Sequence, residues 1–432
     1  MQNSEAKFID VSDLRVGMYV FLDLDWMKHP FALNSFRISS RDQIETIRGF
    51  GIGQIRWSPE QSDPDVIREK RAPQLPPNGN HVARQAVVDA VVAEAELVRQ
   101  RRQLLAAQQE SLAICERQFA VAAHGFRQVV DNVDVQPGMA RLRSEQIVGG
   151  MVEKMLEHGE SDIRLLSENA GEKSSLHAVN VTVIALLLGK ALGLDSAELA
   201  EVGTGALLHD IGKMRLAVRL RWSDPDFNPA ERKLHQEHVA HGVAIGQAMQ
   251  LAPRALAAIA EHHELADGSG YPRRLAGAAI ARPARICALV NQYDNLCNPQ
   301  NPSLALTPHN ALSQIYALMR PHYDSEVLTL FIRMMGVYPP GSAVELTDGR
   351  YALVVSVNSL RPLKPRIVIF EPRVPRAEAM VEDLEHLPTI GIRRSLKPMQ
   401  LPRAVYDYLS PRKRLCYYFE RARPGGESEV AS

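Results

Sequence analysis

The chain has 432 residues, 45% apolar and 23% charged, which is enough for two or three globular domains with a large core. Basic and acidic residues stand at 50 each, so the total charge gives no support to broad binding of DNA or RNA polymers. The first residues, MQNSEAKFID, lack a secretory apolar stretch, and the longest apolar run, 181–188, falls far short of the ~20 residues that a membrane span needs.

Residues 1–60 read as a small α/β module. Strands are expected at 8–11 and 18–22, a helix at 41–50 through Ile44 and Ile47, and a returning strand at 51–57. Residues 61–80, with Pro64, Pro73, Pro76, Pro77 and Asn78-Gly79, have linker composition. Residues 81–140 predict a long connecting helix. Its apolar residues recur every seventh position at Val91, Val98, Leu105, Leu112, Phe119 and Phe126. Such a stripe fits either a coiled coil, giving a homodimer through 81–130, or a helix packed along its own chain. Residues 141–335 alternate helical stretches with short loops. Residues 336–375 predict a small β unit with strands at 344–346, 351–357 and 366–370, and 376–432 an irregular tail that ends in a polar, disordered stretch. Cys115, Cys287, Cys297 and Cys416 form no C-x-x-C pair and read as reduced thiols of a cytoplasmic protein.

The helical segment carries most of the histidines. His177 opens an apolar helix, and His209-Asp210 ends another just before Ile211-Gly212-Lys213. His238 lies in HQEHVAHG, His262-His263 precede Asp267-Gly268-Ser269-Gly270-Tyr271-Pro272, and a further helix carries Asn291 and Asp294. Imidazole and carboxylate ligands suit iron, manganese or zinc. A carboxylate can bridge two such ions, which together activate water and polarise phosphoryl oxygens. Lys213, one turn past Asp210, would add positive charge near a phosphate. Each piece alone has a plainer reading: a buried histidine, a chance HD dipeptide, a glycine turn, and surface positions for His235 and His241 beside His238. Their joint order carries the inference.

HDIGK, the histidine pair and DGSGYP, at these intervals, resemble the HD-GYP family, a helical subclass of HD phosphohydrolases that linearise cyclic di-GMP. The resemblance implies a mainly α fold: an all-helical HD-type catalytic domain with the small N-terminal α/β module and a small C-terminal β unit. It implies two divalent metals, iron or manganese, held by His177, His209, Asp210, His238, His262, His263 and the position of Asn291, with Asp210 as bridge and catalytic centre beside Lys213. Substrate contacts fall to Lys213, Asp267, Gly270, Tyr271 and Arg285. The implied reaction is hydrolysis of cyclic di-GMP to linear pGpG and onward to GMP, in bacterial signalling. The first 60 residues resemble the small domain often joined to such cores, a regulatory or docking module for a protein partner.

Three features depart from the family pattern. Asn291 stands 28 residues after His263, where an aspartate ligand is usual, with Asp294 one helical turn on. Lys173 replaces a glutamate that serves a third metal. Gln300 and Ser303 replace a basic pair that grips phosphate, leaving Arg285 or Arg320 as substitutes. These departures keep a second reading open, a catalytically impaired relative that binds a nucleotide or a protein. A third is an HD phosphohydrolase acting on another nucleotide.

Overall fold

The computed structural model describes residues 7–23, 31, 33–50, 52–63, 81–157, 161–167, 173–358 and 361–421. Most of the expected linker (64–80) and the expected polar end (422–432) lie outside them. The chain divides into two compact units after Val98.

In the first unit, β1 (Lys7–Asp10), β2 (Tyr19–Phe21), β3 (Ser35–Arg37) and β4 (Gln54–Ser58) form an antiparallel sheet in the order β1-β4-β2-β3. Gly17, at φ 97°, makes the turn into β2. Helix α1 (Arg41–Arg48) is capped by Ser40 and lays Ile44 and Ile47 against Ile9, Val20, Ile55 and Trp57. Strand β3 is an addition to the expected elements.

Residues His81–Asn132 form one helix, α2, whose part from Arg99 onward belongs to the second unit. There Cys115, Phe119, Ala122, Phe126 and Val129 are buried in the main core. The stripe from Leu112 to Phe126 is therefore covered by the chain itself and is not free for a second copy. Val92, Leu97, Val98 and Leu104 remain exposed.

Helix α3 (Pro137–Glu157) follows with Pro137 at its first position, and β5 (Ser161–Leu165) comes next. Helix α4 (Lys173–Ala191) is buried at every position from 178 to 189, with Val179, Val181, Val183, Ile184, Leu186 and Leu188 at 0% exposure, so it forms the centre of the unit. Around it stand α5 (Ser196–Leu208), α6 (Pro229–Gln236), α7 (His238–Ala248), α8 (Pro253–Glu261), α9 (Arg282–Cys297), α10 (Pro308–Leu318) and α11 (Ser325–Met335). Asp195 and Glu198 form a capping box that starts α5. Gly205 brings α5 close to α8, since a Cβ there would stand 2.6 Å from Ala258 Cβ.

The C-terminal part differs from the sequence reading. Strands β6 (Ala343–Leu346), β7 (Tyr351–Asn358) and β8 (Arg366–Ile369) occur as expected, but the sheet has seven strands. Three of the others come from the stretch expected to be irregular: β9 (Val381–Asp383), β10 (Ile392–Leu396) and β11 (Tyr417–Arg421). That stretch also holds a short helix, α12 (Arg403–Leu409). The seventh is β5, from before the helical body. The order is β10-β6-β7-β5-β11, with β8 joining β7 to β9. Tyr417 pairs with Leu165 and Arg421 with Ser161. Charges hid these strands. Asp162, Arg164 and Glu420 are buried, with Arg366 2.8 Å from Glu420 and Arg164 3.6 Å from it, so the hydropathy of β5 and β11 reads as loop although both are interior.

Candidate metal centre

The histidines gather because four helix ends meet. His177 lies in the first turns of α4, and His209 caps the end of α5. The chain then breaks from the helix, and Asp210 (φ −100°, ψ 8°) turns its side chain inward before the short turn Ile211–Arg215. That turn lies directly on α7: a Cβ on Gly212 would overlap the carbonyl oxygen of His238 and the amide of Gly242. His238 opens α7, while His262 and His263 follow α8.

The geometry centres on Asp210. Its Oδ1 lies 3.6 Å from Nε2 of His238 and of His262, and its Oδ2 lies 3.4 Å from Nε2 of His209 and 3.6 Å from that of His177. Two groups result that could each hold a metal ion: His177, His209 and Asp210, and Asp210, His238, His262 and His263. Facing Nε2 atoms stand 3.2 Å apart for His177 and His209, 3.4 Å for His238 and His262, and 3.1 Å for His263 and His238. Three of the rings have their other nitrogen engaged by a backbone carbonyl. Nδ1 of His209 donates to the Ala206 carbonyl at 2.7 Å, that of His238 to His235 at 2.6 Å and that of His262 to Ile259 at 2.9 Å. This fixes the tautomer and leaves Nε2 lone pairs aimed at one another, an arrangement that a cation between them satisfies. Asp210 Oδ1 is buried and has no hydrogen-bond partner, as expected of an atom made to bind a metal.

The protonation states agree. Burial lowers His209 and His263 and pushes His238 down to about 3, so these three rings are neutral at neutral pH, the form in which imidazole can bind a metal. Burial would raise Asp210, but Lys213 and His209 beside it hold its carboxyl well below the usual range. Lys213 Nζ sits 2.5 Å from Asp210 Oδ2, with the Trp222 ring 5.6 Å away.

The other expected site residues divide. The Tyr271 ring stacks on His263, centroids 4.5 Å apart and planes 20° apart, and burial raises its hydroxyl so that it stays a donor. Gly270 acts by its lack of a side chain: a Cβ would meet the His263 carbonyl and stand 2.5 Å from the Leu265 amide. Asp267 accepts from the amide and hydroxyl of Ser269 and lies 3.6 Å from His322, so it shapes the loop. Arg285 does not join the cluster. Its guanidinium donates to the carbonyls of Ile280 and Ala278 and to Asp324, which binds it into the fold. Arg320 is exposed and lies over Tyr316. The Asn291 side-chain oxygen accepts from Asn295 at 2.7 Å. One turn on, Asp294 Oδ2 is 2.6 Å from His177 Nδ1, so it orients that ring from behind. The side chain of Lys173 lies outside the described residues.

Residues 151–327 match the family described as HD domain, and residues 6–141 match a domain of unknown function, DUF3391. The chain carries an HD domain behind a DUF3391 domain. A cyclic di-GMP phosphodiesterase of Pseudomonas aeruginosa is 26% identical over 84% of this chain and 85% of its own length. A response-regulator cyclic di-GMP phosphodiesterase of Xanthomonas campestris is 30% identical over 35% of this chain and 40% of its own. A 3'3'-cGAMP-specific phosphodiesterase of Vibrio cholerae is 26% identical over 38% and 32%. An HDG"Y"P protein from Bdellovibrio bacteriovorus, known as a solved structure, aligns with 75% of this chain and 97% of its own at 14% identity and a TM-score of 0.41. The DUF3391 match takes in all of α2 as well as the small sheet, so it extends well past the 60-residue module expected from the sequence.

Three residues of the HD domain's surroundings escaped the sequence reading. Glu264, 1% exposed, accepts from the amides of Arg273 and Leu275 and so ties down the GYP loop. Glu261 binds Arg273 and the Ala281 amide. Asn180 donates to Asp294 Oδ1 at 2.9 Å. Only the single-turn spacing from His177 to Asn180 could have pointed to the last of these.

Proposed function

We propose that the HD domain hydrolyses cyclic di-GMP to linear pGpG, and this in turn to GMP, in a metal-dependent reaction. The observation that carries this is the placement of Asp210, whose two oxygens face two separate histidine groups. Two divalent ions, iron or manganese, held by His177, His209 and Asp210 and by Asp210, His238, His262 and His263, would supply an activated water and polarise the phosphoryl oxygens. Lys213 turns from Asp210 toward the phosphoryl group and stabilises the charge that builds there. Tyr271, held flat by His263, offers its ring to a guanine base and its hydroxyl as donor. Glu261 and Glu264 keep that loop in place. The four cysteines are free and buried, in keeping with work in a reducing cytoplasm on a bacterial second messenger.

Purified protein loaded with manganese or iron should open cyclic di-GMP, with 3'3'-cGAMP tested beside it because relatives carry both names. Asp210→Ala should lower turnover by a factor of about 1,000 or more, since the bridge serves both ions. Wild-type protein with two bound ions and no turnover on either substrate would overturn the proposal. It would favour the second reading, a nucleotide- or protein-binding signalling module. Two observations support that alternative: Asn291 turns its oxygen to Asn295, and Arg285 is engaged in the fold.

A further inference from the structure

The HD-domain match ends at residue 327, yet a strand from far beyond it reaches the metal centre. Asp294 is fully buried. Its Oδ2 meets His177 Nδ1, and its Oδ1 accepts from two amides, Asn180 Nδ2 and Asn298 Nδ2, both at 2.9 Å. Each of those amides has a second partner on the segment that enters β11. Nδ2 of Asn180 and of Asn298 also donate to the Leu415 carbonyl, at 2.7 and 3.0 Å. In return the Leu415 amide donates to Asn298 Oδ1 at 2.8 Å, and the Tyr417 amide to Asn180 Oδ1 at 3.0 Å. The oxygens face N–H donors and the nitrogens face oxygens, so the orientation of both amides is determined.

From this we infer that the C-terminal strand is part of the metal centre, and that Asn180 and Asn298 are positioning residues that fix Asp294 and, through it, the ring of His177. The inference rests on the proposed metal centre. The strand contributes only backbone groups to this network. They hold two amides, the amides hold one carboxyl group, and the carboxyl group sets the rotation and tautomer of one ligand. Removal of such an outer partner commonly weakens metal binding 10–100-fold. On the other side the Nδ1 atoms of His238 and His262 donate to the carbonyls of His235 and Ile259, so those two rings are held without the relay.

The test measures binding of manganese and cobalt to metal-free full-length protein by competition with a chelating dye, together with the visible absorption spectrum of the cobalt-loaded form. Asn298→Ala should weaken one of the two ions about 10–100-fold, leave the other unchanged and alter the cobalt spectrum. Asn298→Asp keeps the shape and the acceptor for Leu415 but loses both donor bonds, so it should give the same one-sided loss and covers the case in which the alanine variant does not fold. Two-ion binding by wild type with unchanged affinities and spectrum in the folded variants would overturn this inference alone, whatever happens to thermal stability. Failure of wild type to bind two ions would overturn the metal centre and this inference together.

Discussion

At the scale of single residues, the site divides into groups that need a particular chemistry and groups that need a particular absence. The histidine–aspartate cluster, though not a place in it for Asn291, was legible because imidazole and carboxylate at fixed intervals have few other uses, and HDIGK places a histidine, an aspartate and a lysine at one helix end. The roles of the glycines were only half legible. Gly270 reads as loop composition, but its place is set by backbone approach. Gly270→Ala would drive a Cβ against His263, Leu265 and Glu264. The expected cost is about 1–3 kcal/mol of stability. Because the displaced backbone carries His263, metal content should fall further than unfolding alone explains. Elemental analysis of the folded fraction checks this. Asn180 and Asn298 were illegible for the opposite reason: amides occur everywhere, and their partners Leu415 and Tyr417 lie more than 100 residues away in the chain.

At the scale of elements, the long helix shows how one repeat can serve two surroundings. Its heptad spacing is regular, but Phe119 is fully buried in the main core whereas Val98 is 46% exposed. Periodicity reports which face is apolar and not what covers it, which is why the sequence left both the coiled coil and the packed helix open. Phe119→Ala should destabilise the second unit by about 3–5 kcal/mol, read from a denaturation midpoint. Val98→Ser should change the midpoint by no more than about 0.5 kcal/mol in a chain that stands alone. A larger, concentration-dependent effect would reveal a second copy on the exposed stretch. The missed strands teach a related point. β5 and β11 pair along five residues each, yet interior charges in both cancel the alternation by which strands are recognised.

At the scale of the whole molecule, those same charges make stability depend on pH. Asp162 is buried, with Oδ1 lacking a partner and Oδ2 3.5 Å from Arg366, and burial pushes its carboxyl up to about 6 despite that arginine. A folded-state value above the unfolded one means that the folded protein holds the proton more tightly. The contribution to stability is therefore full below about pH 4 and declines as pH rises toward 6, by roughly 2–3 kcal/mol. Asp162→Asn should remove this decline. Comparing urea midpoints of variant and wild type at pH 4.5 and pH 7 checks it, and a constant difference between the two proteins would refute it. The sheet that carries this network also joins distant parts of the chain, since Ser161 pairs with Arg421 across the entire helical body. Pairings of such long range are slow to form and come late in synthesis. A ribosome must therefore have made the segment around residue 417 before the ring of His177 can acquire its final support, and a growing chain would stay without a finished centre until that segment has emerged.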